Sequence, residues 1–566
     1  MPIQCGVDAV PFGFPDGLGL AGYGPLAGEG YGDDEADPRT CPMARALVLD
    51  APATSSSPAC TLFIVVVDLM GSSLRVQQQV VDRLKAAGVP VDDAHLIILA
   101  SHTHSAPGQF FGNSLYDAFA QSPGGYRADV ADLIADTVSA ACQRAYTSRR
   151  PSRVAVIPWV GWRIGRNRSL TAFESNFAPA ERNGSWFARW TELLGLTEVH
   201  TGSDVFQRAV DPRLWTLWAF DLDSDAVLGT LAIAPFHNAA LGRGHRLYDA
   251  DWAGRAAHGM SARGIPWAAV AQGPAGDVTV IPSMRGMDAM GTELAEDVAS
   301  SVVEVWLGAM DAAREAARED PALAVGLFRW RPDEDGLDRW DLGQPVIGGS
   351  EESRSPWFSE RRGEARKSLL PWDLIHRTFG VKNEQAPKES AFGLFQPAVR
   401  RLFSDLEPAP EHPLQLVRLG SHLFFVLPCE ITGFAAARVA ARLKAASASE
   451  GIETVSPLAI GNDYAGYLTT EAEYDCQRYE GAHNLFGRRS LAVVERHLES
   501  MVLPNGLRID TRARRPHPPP LTAAEFQQRV VSVLQTLSAP LRAGAILKQG
   551  LGLVARGARK TNHGAR

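Results

Sequence analysis

The 566-residue sequence has no closely spaced cysteines: Cys5, Cys41, Cys60, Cys142, Cys429 and Cys476 are scattered singly. That excludes a CxxC zinc ribbon and a small disulfide framework, and the six are expected to be reduced thiols. Apolar runs long enough to span a bilayer, about 20 residues, are missing as well. The longest candidates, such as Thr61–Val67, have only strand length. The first residues, MPIQCGVDAVPFGFPDGLGLAGYG, hold no basic region followed by an uninterrupted apolar segment, so no secretory signal is read and a cytoplasmic location is expected. Positive charge is not in excess. With 56 Lys+Arg against 64 Asp+Glu, the formal net charge of -8 excludes the electrostatic footprint of a nucleic-acid-binding protein. No internal repeat is present. What is there is an ordinary globular composition, 45% hydrophobic and 21% charged, in a chain long enough for one large catalytic domain with a small appendage.

Residues 1–58 are rich in Gly, Pro and Asp and read as loops with little regular structure. Thr61–Val67 is a continuous β-branched and aromatic run, hence a buried strand. A helix carrying Val76, Val80 and Leu84 follows, stopped by Gly88 and Pro90. Leu96–Ala100 is a second apolar run, and this strand–helix–strand order implies a parallel pair with a crossover. Further on come a helix over Tyr126–Tyr146, hairpins at Leu214–Ala234 and Leu416–Leu427, and one long helix over Gly291–Ala317. The charged, Gly/Pro-punctuated stretch 331–395 reads as a long loop or insertion.

The second apolar run stops at Ser101-His102-Thr103-His104-Ser105-Ala106-Pro107-Gly108. On an extended chain residues i and i+2 share a side, so both imidazoles are expected to face one pocket at the carboxyl edge of a sheet. His237 follows another apolar run, and Glu430 another. Two imidazoles and a carboxylate that leave a coordination position open match the ligand chemistry of catalytic zinc, although no spacing rule links residues so far apart in sequence.

The HTHSAPG stretch resembles the SHTHSGPGG signature of the neutral (neutral/alkaline non-lysosomal) ceramidases. Other blocks follow in that family's order: Asn167-Arg168-Ser169, Phe236-His237, Asp249–Gly254, Gly276-Asp277-Val278-Thr279, Leu427–Thr432, and Tyr464–Gly481, which reads YAGYLTTEAEYDCQRYEG. The likeness covers about residues 5–505.

The resemblance implies a mixed α/β (α+β) fold, a single large domain over 1–510 built on mixed β-sheets flanked by helices, with a zinc site at strand ends. It implies one Zn2+ per chain held by His102, His237, Glu430 and Tyr467. His104, Arg168 and Tyr479 are implied as hydrogen-bond donors around the scissile amide, where a preorganised donor contributes about 3–4 kcal/mol. Thr279 stands where the family has a serine; its hydroxyl is kept, but its methyl stiffens χ1, and both a nucleophilic and an orienting role stay open. Cys429 replaces the glycine before Glu430 and puts a thiol beside a ligand, where it is able to compete for metal.

The implied activity is zinc-dependent hydrolysis of an N-acyl amide, ceramide or a ceramide-like N-acyl amine. Two alternatives stand beside it: a specialised amidase or N-acyltransferase on another acylated amine or peptide, and a non-catalytic lipid-binding relative. Residues 511–566 read as a Pro-rich linker and a helical, basic tail in place of the family's immunoglobulin-like C-terminal domain. The expected partner is an N-acyl lipid or other acylated amine, with peripheral membrane contact through Leu541–Arg566 weighed against simple packing of that helix on the body.

Overall fold

The computed structural model describes residues 2–532 except 25–26, 33–36, 54–57, 161–163, 183–184, 197–203, 281–289, 351–384 and 392–408. Most of the expected insertion at 331–395 and the basic end of the tail therefore lie outside the described residues.

Twelve strands make two mixed sheets. The larger contains β1 (Gln4–Pro11), β2 (Met43–Ala51), β3 (Cys60–Val67), β4 (Leu96–Ala100), β5 (Arg150–Val160), β6 (Arg213–Asp221), β7 (Val227–Ala234) and β8 (Ala268–Gln272). Their order across the sheet is β8-β7-β6-β5-β1-β2-β3-β4. The smaller contains β9 (Leu323–Trp330), β10 (His412–Leu419), β11 (His422–Val426) and β12 (Thr454–Leu458), paired in chain order.

The unbroken apolar run of β3 is explained by what covers its two faces. Phe63, Val65 and Val67 pack with Val76, Val80 and Leu84 of the helix Leu74–Ala86 and with Ile134 and Val138 of the helix Ala128–Thr147. Leu62, Ile64 and Val66 point the other way, into a core shared with Val325, Val417 and Phe424 of the smaller sheet. A strand buried on both sides has no polar face to alternate with. Each such side chain contributes about 1.5–3 kcal/mol when fully buried. The expected parallel pair is present, in register from Phe63 opposite Leu96 to Val67 opposite Ala100.

Two expectations are corrected. Residues 1–58 hold more regular structure than expected: β1 and β2 pair over eight positions inside the larger sheet. Their composition hid them, because β1 carries Gly, Asp and Pro and β2 carries Arg45, which is buried only because it pairs with the equally buried Asp68. The long helix is two, Thr292–Gly308 and Met310–Ala316. It breaks after Gly308, where the helix-weakening residue lies against Trp159.

The larger sheet is drawn almost into a ring. β4 and β8 are its two edge strands, yet the Gln272 side chain donates to Ser101 O at 3.0 Å. Residues 459–462 stitch across the same gap: Ala459 N donates to Gln272 O (2.9 Å), Ala100 N to Ile460 O (3.3 Å) and Asn462 N to Ile98 O (2.8 Å). Ile460 adopts φ 55°, a region a β-branched residue enters only when its surroundings over-determine it. This closure brings the carboxyl ends of β4 and β7 face to face.

After β8 the chain makes a two-residue strand, Val278–Thr279, antiparallel to Arg166–Asn167. After β11 it makes another, Glu430–Ile431, parallel to Tyr467–Leu468. Residues 510–522 run along the body: Arg515 pairs with Asp333 at 2.8 Å, Arg75 donates to Pro518 O at 3.2 Å, and Leu521 is buried. No helix among the described residues is long and apolar enough to cross a membrane.

Candidate metal centre

His102 does not reach the site by strand alternation. β4 ends at Ala100, and His102 sits at φ 69°, in the left-handed region, with its N–H donating to Leu69 O at 2.9 Å. The turn, not the pleat, aims its ring. The nearby block Asp249–Gly254 supports that turn. Asp249 O accepts from Thr103 Oγ1 (2.6 Å), Asp249 N donates to Ser105 O (2.8 Å), and the Asp249 carboxylate is paired with buried Arg255 at 2.6 Å.

His102, His237 and Glu430 are all buried, and one ligand atom of each lies within 4.8 Å of the others. His102 Nδ1 donates to Met70 O at 2.5 Å and His237 Nδ1 to Val278 O at 3.0 Å. Carbonyls only accept, so these partners place a proton on Nδ1 of each ring and turn both Nε2 atoms toward Glu430. The two Nε2 atoms lie 3.4 Å and 2.9 Å from Glu430 Oε2, an oxygen with no hydrogen bond of acceptable geometry. Burial would raise the Glu430 carboxyl, but His102 and His237 hold it well below the usual carboxylate range. Two imidazole nitrogens and a carboxylate oxygen thus converge on one point, a donor set that suits a divalent cation. A backbone carbonyl behind each imidazole is the outer support that histidine metal ligands normally have.

Tyr467, the expected fourth ligand, stands directly opposite Glu430 in the short parallel ladder. Its hydroxyl is 3.4 Å from His237 Nε2 and accepts from Arg168 Nη2 at 3.0 Å. Burial, then the Glu430 charge, pushes this phenol well above its ordinary value, against the lowering effect of Arg168. A phenol there needs a cation to give up its proton.

Arg168 is fixed on three sides: Nε donates to Glu480 at 2.8 Å, Nη2 to Gly276 O at 2.7 Å, and Nη2 also to Tyr467. Glu480 is held in turn by Ser169 Oγ at 2.5 Å. Tyr479 and His104 are only half-buried, unlike the three metal-ligand candidates. Tyr479 lies 5.5 Å from the Tyr467 ring and 5.5 Å beneath the Arg168 guanidinium. His104 Nε2 is 3.4 Å from His102 Nε2. Burial, followed by the neighbouring His102 and His237, holds His104 well below the ordinary imidazole range, so the ring is neutral. Thr279 is buried in the strand whose preceding residue, Val278, anchors the His237 ring.

Cys429 is not part of the cluster. Its thiol is buried in the apolar core with Leu427 and Ile431, and burial pushes its pKa upward. In a β-like segment the neighbour of an inward-facing ligand faces away from it.

Sequence reasoning missed several supports. Tyr464 donates to Glu430 Oε1 and is itself packed edge-on against Tyr116, 4.6 Å away. Tyr116 hydrogen-bonds His483 Nε2 at 3.3 Å, and the His483 ring lies 5.1 Å from Tyr467. Tyr464 and Glu480 stood inside the quoted YAGY…QRYEG block and were open to notice. The carbonyls of Met70 and Val278 carry no sequence signal at all.

A sequence model described as neutral/alkaline non-lysosomal ceramidase, N-terminal, matches residues 13–279 and 342–495. The neutral ceramidase of Pseudomonas aeruginosa is 25% identical over 468 residues, covering 78% of this chain and 64% of that protein. The neutral ceramidase of Mycobacterium tuberculosis is 26% identical over 487 residues, covering 81% of this chain and 71% of that one. A solved structure titled "Ceramidase complexed with C2" superposes with a TM-score of 0.70 at 22% identity, over 91% of this chain and 77% of that chain. The crystal structure of the Pseudomonas aeruginosa neutral ceramidase gives 0.67 at 21% identity, over 91% and 76%. The chain thus spans about two thirds of the length of its first curated relatives, and the structural likeness bears out the mixed α/β fold.

Proposed function

The chain belongs to the neutral/alkaline non-lysosomal ceramidase family, and from that premise we propose that it hydrolyses the amide bond of ceramide or a ceramide-like N-acyl amine. Water adds to the carbonyl, the C–N bond breaks, and the products are a fatty acid and a free amine. The observation that carries this reading is the convergence of His102 Nε2, His237 Nε2 and Glu430 Oε2, each imidazole backed by a carbonyl at Nδ1.

In this reading zinc is the ion, held by those three residues with Tyr467 as the fourth ligand. Zinc bound there supplies a Lewis acid and lowers the pKa of water to about 7. The rest is the work of the chain. Arg168, braced by Glu480, holds a fixed positive charge beside the site and donates toward the amide oxygen as negative charge develops there. Tyr479 and His104, the two half-exposed members, face the entering substrate and donate to it. The Thr279 hydroxyl orients the attacking water or the substrate. Residues 1–510 form the catalytic unit, and 511–566 are an appendage to it.

The test combines metal content with a substrate panel. Full-length protein should contain about one zinc per chain and turn over N-acyl sphingosine faster than short N-acyl amino acids or peptides. Turnover should vanish with chelator and in His102→Ala. An active metal-free protein overturns the reading. Turnover of other amides, or acyl transfer in place of hydrolysis, shifts it to the specialised amidase or acyltransferase that the threonine at position 279 motivates.

A further inference from the structure

His102 and His237 are oriented by hydrogen bonds at Nδ1, but His104 is not. Its Nδ1 is buried and makes no hydrogen bond among the described residues. Its Nε2 side meets His102 Nε2 at 3.4 Å, and the Nδ1 side of the ring takes its orientation from packing. The packing comes from residues 20–23, in the stretch that the sequence marks only as Gly/Pro-rich loop.

This segment lies along the HTHSAPG turn. Ala21 N donates to Ala106 O at 3.0 Å, Gly108 N donates to Gly19 O at 2.9 Å, and Leu20 bridges Pro107. Gly22, at φ +105°, presses its backbone against the face of His104; a Cβ there would lie 2.5 Å from His104 Cγ and 2.7 Å from Nδ1. Only glycine both adopts that conformation and leaves room for the ring. The Tyr23 ring stands edge-on to His104, with centroids 5.0 Å apart and planes at 75°. Tyr23 is itself pinned, its hydroxyl donating to Leu241 O at 2.6 Å. Leu241 closes the loop that begins at His237, and its N–H is held by buried Asp251 at 3.0 Å. Tyr23 therefore ties the orientation of His104 to the loop that carries His237.

We propose that Gly22 and Tyr23 are positioning residues that hold the His104 ring, by shape and edge contact, at the angle from which it meets substrate. This rests on the hydrolase reading of the site. The contacts that place Gly22 and Tyr23 at the site are with His104, so metal binding should be insensitive to them, whereas a donor displaced by about 1 Å costs on the order of 100-fold in rate.

The experiment compares Tyr23→Phe, Tyr23→Ala and Gly22→Ala with His104→Ala in zinc-loaded full-length protein, using only variants whose melting temperature and zinc content match the wild type. Tyr23→Ala should lower kcat about 10–100-fold with KM changed little, and Tyr23→Phe, which keeps the ring, should lose less. Tyr23→Ala combined with His104→Ala should be no slower than His104→Ala alone, since both act through one ring. Losses that multiply, or a change confined to KM, overturn the proposal. If Tyr23→Ala or Gly22→Ala unfolds, Tyr23→Phe and Tyr23→Leu carry the same comparison. A wild-type protein that cleaves no N-acyl amine sinks the functional reading instead. The positioning claim is then decided by crystal structures: a rotated His104 ring in Tyr23→Leu supports it, and an unmoved ring overturns it.

Discussion

Glu430 and Tyr467 face each other as the first pair of a two-residue parallel ladder, with Ile431 and Leu468 as the second. Two residues are too few to hold a register by themselves. The backbone does the rest: Glu430 N donates to Gly466 O at 2.9 Å and Thr432 N to Leu468 O at 3.2 Å. A slip of one residue would turn Glu430 outward and bring Cys429 into its place, because side chains alternate along the strand.

Tyr464 holds one oxygen of Glu430, leaving the other for metal. Tyr464→Phe should weaken metal binding about 10–100-fold, the usual cost of removing an outer support, with little change in fold. Competition against a chelator of known affinity measures it. An unchanged affinity would show that Glu430 is oriented by the backbone alone.

Arg168 and Glu480 are an ion pair with side chains only 4% and 3% exposed. Glu480→Gln leaves the guanidinium buried and short of its counter-charge and should destabilise the protein by about 3–5 kcal/mol, read from urea midpoints. Arg168→Met should lower kcat about 100–1000-fold by removing a preorganised donor. Equal stability of Glu480→Gln and wild type would mean that Gly276 O and the Tyr467 hydroxyl suffice as partners of Arg168.

Lys388 is fully buried, with Nζ donating to Asn484 O at 2.6 Å and Asp341 O at 3.0 Å. Burial pushes the amine down to about 7 from its usual 10.5, against the raising effect of Asp341 and Asp338. Between those values the unfolded chain binds more protons than the folded one, so stability should rise with pH, by about 1.4 kcal/mol per unit at most. Chemical denaturation at pH 7 and pH 9.5 reads the slope as a difference between wild type and Lys388→Met. The same slope in both proteins would exclude Lys388 as its source.

The Cys429 thiol faces apolar core, so Cys429→Ala should leave metal affinity unchanged and cost about 1 kcal/mol in stability, the order of one lost buried group. Native protein should resist alkylation at Cys429 and react there only in denaturant. Protection of Cys429 by added zinc, absent in apo protein, would put the thiol back among the ligands.

How much could be read in advance depended on whether one segment held the whole signal. The apolar run Leu62–Val67, the spacing of Val76, Val80 and Leu84, and the order of the motif blocks are local, and they led to the parallel pair and to His102, His237 and Glu430 as candidates. β1 and β2 escaped because their burial depends on partners elsewhere: Arg45 is tolerable in a strand only once Asp68 neutralises it. The pleat argument for His102 and His104 reached the right pocket by a wrong route, since φ at His102 follows from a turn tied to Leu69.

By itself, then, the sequence determined which side chains are available and those strands and helices whose apolar pattern is local, because hydrophobic periodicity and turn chemistry act over a few residues. Only the tertiary structure decided that they meet. The stitch at 459–462 closes a sheet whose edge strands are far apart in the order. The carbonyls of Met70 and Val278 orient the two histidine rings. Gly22 and Tyr23 hold the side of the His104 ring whose Nδ1 makes no hydrogen bond. Each of these is a backbone or shape contact between distant segments, and such contacts have no residue type of their own to announce them.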